Sequence, residues 1–282
     1  MSPNGDQAED AAIAHFIRRG STLTASPSGK VTSLFLSIPI STDSTCLPLG
    51  SVDLLHLAAL RDLRKLYLSL GQADDAIWPA ICRLRKLNTL ELGRSGITDE
   101  GLKNLKYLPE LKSLNLSGTQ TGDQGLAHIC DSCPKLTKLS LINTRITSRG
   151  TSHLSHLKSL RELDLVQTRV GDKGLKPLED LRSLTELGLE STSISNSGLK
   201  HLSSLTSLKG LTIHDTAITE RGLIHLERLS KLNTFYLCVR VSAIGLKSLK
   251  KLRSLQNLYI GDVMSREERD ALQEQLPGIC VE

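Results

Sequence analysis

The sequence predicts an α/β solenoid, in which short strands alternate with helices and identical units stack on one another. Three observations lead there. A six-residue apolar motif returns about every 24 residues, and a Gly-Leu step follows it in nearly every unit. The composition is 39% apolar but only 3% aromatic, so the core must be assembled from many equivalent aliphatic contacts rather than a few large rings.

The motif L-x-x-L-x-L, with an occasional Ile or Phe, starts at Leu63, Leu87, Leu111, Leu136, Leu160, Leu184, Leu208, Leu232 and Leu255. The steps are 24 residues, except for 25 between Leu111 and Leu136 and 23 between Leu232 and Leu255. An earlier start, Val31-x-x-Leu34-x-Leu36, joins the series if Ile38 to Ser51 holds an insertion. Alternation within the motif predicts a strand, with Leu114 and Leu116 inward and Ser113, Asn115 and Ser117 outward.

Three residues past the last strand leucine comes a small hydroxyl: Ser95, Thr119, Thr144, Thr168, Thr192 and Thr216. A short polar side chain there suits backbone groups that leave the ladder. Ile97, Ile146, Val170, Ile194 and Ile218 follow, then a turn and a Gly-Leu-x-x-Leu step, whose glycines recur at Gly101, Gly125, Gly150, Gly174, Gly198, Gly222 and Gly245. A missing Cβ there lets a helix start close against its neighbours. Asp99, Asp123 and Asp172 stand where helix N-caps are expected, and Leu102, Leu105 and Leu108 give the helix its buried face.

One unit cannot bury its own apolar face, so the ends need caps. Residues 1–30 read as an N-terminal tail with a capping helix and hairpin, carried by Ala12, Ile13, Phe16 and Ile17 and by a Ser-Pro-Ser-Gly turn. Residues 31–262 read as about ten repeats, and 263–282 as a C-terminal cap. In that cap Ser265 and Glu268 form a capping box, and the tail from Pro277 to Val281 supplies a last half-strand.

The unit L-x-x-L-x-L-x-x-T-x-I-T-x-x-G-L-x-x-L resembles the leucine-rich repeats, with Thr where many members place Asn or Cys. It is most similar to tandem bacterial repeats of 24 residues, with some likeness to the cysteine-containing class. The resemblance implies a right-handed β-α superhelix with a parallel sheet on its concave side and helices on its convex side. It also implies a ligand-binding framework, without naming the ligand.

Outward strand positions form columns along the concave sheet. The middle one reads Phe35, Tyr67, Glu91, Asn115, Ser140, Asp164, Gly188, Thr212, Tyr236, Tyr259. Glu162, Asp164, Glu186 and Glu190, with Asp215 nearby, make an acidic cluster beside it. Tyr67, Tyr236 and Tyr259 stand as aromatic anchors with a polar handle, and the acidic field favours a basic protein partner.

No nucleophile elbow, phosphate-cradling loop or zinc-protease helix occurs, so neither an enzyme nor a cofactor is expected. The histidine column His56, His128, His153, His201, His225 reads as repeat duplication rather than a metal site. His128-x-Cys130-x-x-Cys133 falls in the 25-residue unit, where the extra residue suggests a bulge at the helix end; three ligands without a second cysteine pair make a weak zinc pattern. Lys247, Lys250, Lys251 and Arg253 read as a solvated helix face, and the net charge of +5 is spread along the chain, so nucleic acid is not expected.

The first twenty residues lack a secretory apolar core, and no apolar run is long enough to span a bilayer. Six cysteines without framework spacing read as reduced thiols in a cytoplasmic protein, and a monomer is expected. The function expected is a non-catalytic scaffold that holds a protein partner. The alternative is the substrate-receptor subunit of a ubiquitin-ligase-type complex.

Overall fold

A computed structural model describes residues 3–36, 49–68, 71 and 73–282. The insertion expected from Ile38 to Ser51 lies, apart from residues 49–51, outside the described residues. The chain divides into two compact units, residues 1–139 and 140–282. The strand β6 (Lys138–Ser140) straddles the division.

The N-terminal unit opens with α1 (Pro3–Arg18) and the antiparallel hairpin β1 (Thr22–Ala25) and β2 (Val31–Phe35). Then follow α2 (Ser51–Leu57), β3 (Lys65–Tyr67), α3 (Trp78–Ile81), β4 (Thr89–Glu91), α4 (Asp99–Leu102), β5 (Ser113–Asn115) and α5 (Asp123–Ser132). From β2 to β5 the strands are parallel and strictly in register, Phe35–Tyr67–Glu91–Asn115 side by side. Ala12 and Phe16 on α1 are fully buried, but Ile17 is 60% exposed, so the apolar stripe is narrower than its sequence suggests.

The C-terminal unit continues with β7 (Glu162–Asp164), α6 (Asp172–Leu175), β8 (Glu186–Gly188), α7 (Asn196–Leu199), β9 (Gly210–Thr212), β10 (Thr234–Tyr236), α8 (Ala243–Leu249), β11 (Asn257–Tyr259), α9 (Arg266–Gln275) and β12 (Cys280–Val281). From β7 to β12 the ladder is parallel. The Ser265–Glu268 capping box forms. The Ser265 hydroxyl accepts from the Glu268 N–H, the Glu268 carboxylate accepts from the Ser265 N–H at 2.8 Å, and β12 pairs with β11.

The inward leucines of the strands and most helices are buried, Leu102, Leu105, Leu108, Leu114 and Leu116 among them. The helical layer is tighter than the sequence suggests. Most units leave a four-residue α-turn for a 3-10 segment, such as Lys103–Tyr107, or use 3-10 geometry throughout, as in Glu220–Leu226. The extra residue of the 25-residue unit is not a bulge at the helix end. It is taken up by a regular ten-residue helix, α5, because an α-helix takes more residues per unit of rise than a 3-10 helix.

The hydroxyl column behaves as its position predicts. Thr119, Thr144, Thr168, Thr192 and Thr216 each donate to the carbonyl three residues earlier at 2.6–2.7 Å. The exception is Ser95, whose buried hydroxyl has no partner.

The aspartates differ from expectation. Asp99, Asp123 and Asp172 are not N-caps but the first residues inside their helices, after Thr98, Gly122 and Gly171. Two of them visibly reach the next unit instead. Asp99 accepts the Gly122 N–H at 2.7 Å, and Asp172 accepts both the Ser195 N–H and its hydroxyl at 2.6 Å. Asp75, Ser148, Asn196 and Glu220 do the same for Thr98, Gly171, Thr219 and Ser242.

This clamp explains the glycine column. A Cβ on Gly198 would lie 2.6 Å from Asp172 Oδ1, and Cβ atoms on Gly101, Gly125 and Gly222 would strike Asp75, Asp99 and Asn196. The glycine of one unit makes room for the clamping side chain of the unit before it.

Candidate functional site

The exposed side of the sheet carries the columns that the alternation places there. In the C-terminal unit the middle column is Asp164, Gly188, Thr212, Tyr236, Tyr259, and the column beside it is Glu162, Glu186, Gly210, Thr234, Asn257. Six of the seven predicted site residues, Glu162, Asp164, Glu186, Glu190, Tyr236 and Tyr259, therefore lie in one unit. Tyr67 lies in the N-terminal unit, beside Phe35.

Parallel pairing brings identical positions side by side, so aromatics in one column stack. Tyr236 and Tyr259 have centroids 4.1 Å apart and planes 5° from parallel. Phe35 and Tyr67 repeat the arrangement at 4.0 Å and 6°. Tyr236 is 37% exposed and Phe35 38%. The Tyr259 hydroxyl is hydrogen-bonded to that of Tyr236 and lies near Glu282, which together hold it protonated above the usual phenol range.

The acidic residues are not equivalent. Asp164 accepts the Val166 N–H at 3.1 Å, so part of its carboxylate stabilises the strand exit. Glu190 pairs with His214 at 3.0 Å, a bond invisible in the sequence except as two polar residues 24 positions apart. Glu186 is exposed overall, yet its carboxylate lies over Gly210. Desolvation there, with the in-register Glu162 adding to it, raises its carboxyl above the ordinary range, while Lys209 pulls the other way.

Glu190, His214 and Asp215 bring three potential ligand atoms within 4.8 Å of one another, a grouping the sequence reading missed. The Glu190–His214 contact brings two of the three together. Cys130 and Cys133 are buried in and just after α5, and burial pushes both thiols up to about 12, which suits packing rather than thiolate chemistry. Cys82, Cys130, Cys133, Cys238 and Cys280 are all free thiols.

Two members of the histidine column have local partners: His56 stacks on His15 at 4.3 Å, and His201 bonds Glu179. In the basic stretch only Lys247 lies in α8; Lys250, Lys251 and Arg253 follow it, and Lys251 pairs with Glu227 at 2.6 Å. Among the described residues no helix is long and apolar enough to cross a membrane.

Comparison with known proteins agrees with this architecture. Residues 52–157 match the repeats described as "FBD-associated F-box protein At5g56370, LRR repeats", and residues 156–178 match a leucine-rich-repeat family. Internalin C2 of Listeria monocytogenes is 26% identical, with a TM-score of 0.54 over 73% of this chain and 83% of that one. The leucine-rich-repeat protein LIC12759 of Leptospira interrogans is 20% identical, with a TM-score of 0.58 over 83% of this chain and 62% of that one. No curated protein matches in sequence.

The chain is a leucine-rich-repeat protein, and its fold is the leucine-rich-repeat solenoid. That architecture generally mediates protein–protein interaction, and no enzyme family is among these matches.

Proposed function

We propose that this protein is a non-catalytic scaffold that holds a protein partner on the exposed face of its sheet, and that the partner presents a basic surface there. The observation that carries the reading is the Tyr236–Tyr259 stack, left half-open on the sheet face whose strands β7 and β8 carry Glu162, Asp164 and Glu186, with Glu190 just past β8. Rigid aromatics with few rotatable bonds anchor interfaces at low entropic cost, and a one-signed field speeds encounter with the opposite sign. Phe35 and Tyr67 form a comparable anchor in the N-terminal unit. A monomer in the reducing cytoplasm, without nucleic acid as a target, fits the free thiols and the dispersed charge.

The test is site-specific photo-cross-linking in the native host. A photoreactive residue at Thr212 is expected to capture the partner, whereas one at Ile224, exposed in the 3-10 segment, does not. Glu162→Lys, Asp164→Lys and Glu186→Lys together abolish capture while the circular-dichroism spectrum stays unchanged. Capture that persists in the folded triple variant, or that is equal from Ile224, overturns the reading.

A second reading is favoured by the match of residues 52–157 to repeats of an F-box protein: a substrate receptor of a ubiquitin-ligase-type complex. That role needs a helical docking motif. The helix α1 is already engaged as a cap, with Ala12 and Phe16 buried. Stable co-purification of a ligase core subunit would favour this second role.

A further inference from the structure

The sheet face of the C-terminal unit has a gap in its side-chain cover. Gly188 in the middle column and Gly210 in the column beside it sit on neighbouring strands, β8 and β9, with Thr212 next to Gly188. At both glycines a carboxylate from the strand before lies down into the space. A Cβ on Gly188 would be 2.6 Å from Asp164 Oδ1, and a Cβ on Gly210 would strike Glu186 Oε2, with Cδ at 2.9 Å. On the far side of Thr212 stands Tyr236, in register with it. One face of that ring is stacked on Tyr259; the other is on the Thr212 side, and among the described residues no ring or cation is recorded against it. Asp164 and Tyr236 are three strand steps apart, about 14 Å at about 4.8 Å per step.

The chemistry of the walls restricts what can enter. Carboxylate oxygens and the face of an aromatic ring both present negative potential, so an anion is repelled. An apolar side chain would strip water from Glu186 and leave its charge unpaired. An ammonium group answers a carboxylate as a point charge but has no flat surface for the ring. A guanidinium meets both walls, because its planar fork bonds a carboxylate in two places while its face stacks on an aromatic ring. At Glu186, desolvation and Glu162 raise the carboxyl, and the exposed Lys209 opposes them. His214 Nε2 is engaged by Glu190 at 3.0 Å.

We infer that the gap over Gly188, Gly210 and Thr212 is an arginine subsite, in which the guanidinium of one partner arginine stacks on the open face of Tyr236 and is bonded by Glu186. This rests on the sheet-face reading above and specifies the residue that the partner brings. The glycines serve the site by laying the carboxylates flat, which leaves the ring face reachable.

The test is a titration of the full-length protein, its tyrosine rings labelled with carbon-13 and the Tyr236 signal assigned through Tyr236→Phe. The probes are capped arginine, capped lysine and capped citrulline, the last having arginine's shape without its charge. Capped arginine is expected to shift Tyr236 saturably, capped lysine to bind about tenfold more weakly, and citrulline to leave the signal unmoved. Glu186→Gln, an exposed and near-isosteric change, and Gly210→Ala, which displaces Glu186, each weaken arginine by about fivefold or more. An unmoved Tyr236, an equal response to citrulline or lysine, or an unchanged response in Glu186→Gln overturns the subsite. If photo-capture at Thr212 survives such a result, the sheet-face reading stands without the arginine; if capture is also absent, both fall.

Discussion

One residue per unit pays for the turn that ends each strand. Arg94, Asn143, Gln167, Ser191, Asp215 and Cys238 have φ between 49° and 56°, in the left-handed region, where Gly71, Gly118 and Gly261 stand in other units. A side chain there costs roughly 1–2 kcal/mol, less for Asn and Asp. The conformation is imposed because it lets the turn residue keep bonding the next unit: Gln167 N–H reaches the Glu190 carbonyl at 2.9 Å, and Ser191 N–H reaches that of His214 at 3.1 Å. Gln167→Gly is therefore expected to stabilise the protein by about 0.5–1 kcal/mol, since relief of the strain outweighs glycine's extra unfolded entropy. Gly118→Ala has the opposite sign. Urea denaturation midpoints at constant slope read both, and a loss of stability in Gln167→Gly would refute the strain. This column was not legible in the sequence, because its occupants share a backbone conformation and no side-chain property. The leucine and hydroxyl columns were legible because burial and a fixed backbone acceptor each demand a side-chain type.

Between α1 and α2 the N-terminal cap is held by a charged cluster rather than by apolar contact alone. Asp53 is buried and accepts from His15 at 2.7 Å, from the Gly50 N–H at 2.8 Å and from Arg19. Burial opposes its charge, but the bonds from Arg19, His15 and Gly50 outweigh that and hold the carboxyl below its usual range. His56 stacks on His15, and burial, with the charges of His15 and Arg18 adding to it and Asp53 opposing, holds its imidazolium below the usual range. For both groups the unfolded chain takes up the proton first as pH falls. Their contribution is thus complete above about pH 6.5 for His56 and above about pH 4 for Asp53, and each declines as pH drops through the folded-state value. Thermal unfolding midpoints are expected to fall between pH 7 and pH 5, and His56→Phe, which keeps a ring in the stack, flattens that slope. An equal slope in the variant would assign the acid sensitivity elsewhere. The sequence shows His56 as one member of a histidine column, and its pairing with His15 depends on a helix-to-helix contact that no periodicity encodes.

At the scale of the repeats within each compact unit, the clamp ties one repeat to the next. In the C-terminal unit Asp172 bonds Ser195, Asn196 bonds Thr219, and Glu220 bonds Ser242. Ion pairs such as Lys251–Glu227 span the same step at the surface, where they contribute little. When each repeat touches only its neighbours, a lesion should be felt locally and fade with repeat number. Asp172→Ala removes two bonds to a partly buried partner, which costs about 2 kcal/mol. It also leaves the space opposite Gly198 unfilled. Native-state hydrogen exchange should therefore show the largest loss of protection in β8 and β9, the strands that carry Gly188, Gly210 and Thr212, with β11 and β12 close to wild type. The same variant should weaken the Tyr236 response to capped arginine, although Asp172 lies in the helical layer and touches no residue of the sheet face. Protection lost equally in β12 would mean that the unit opens as one cooperative block, and that the clamp fixes global stability rather than the local register on which the sheet face depends.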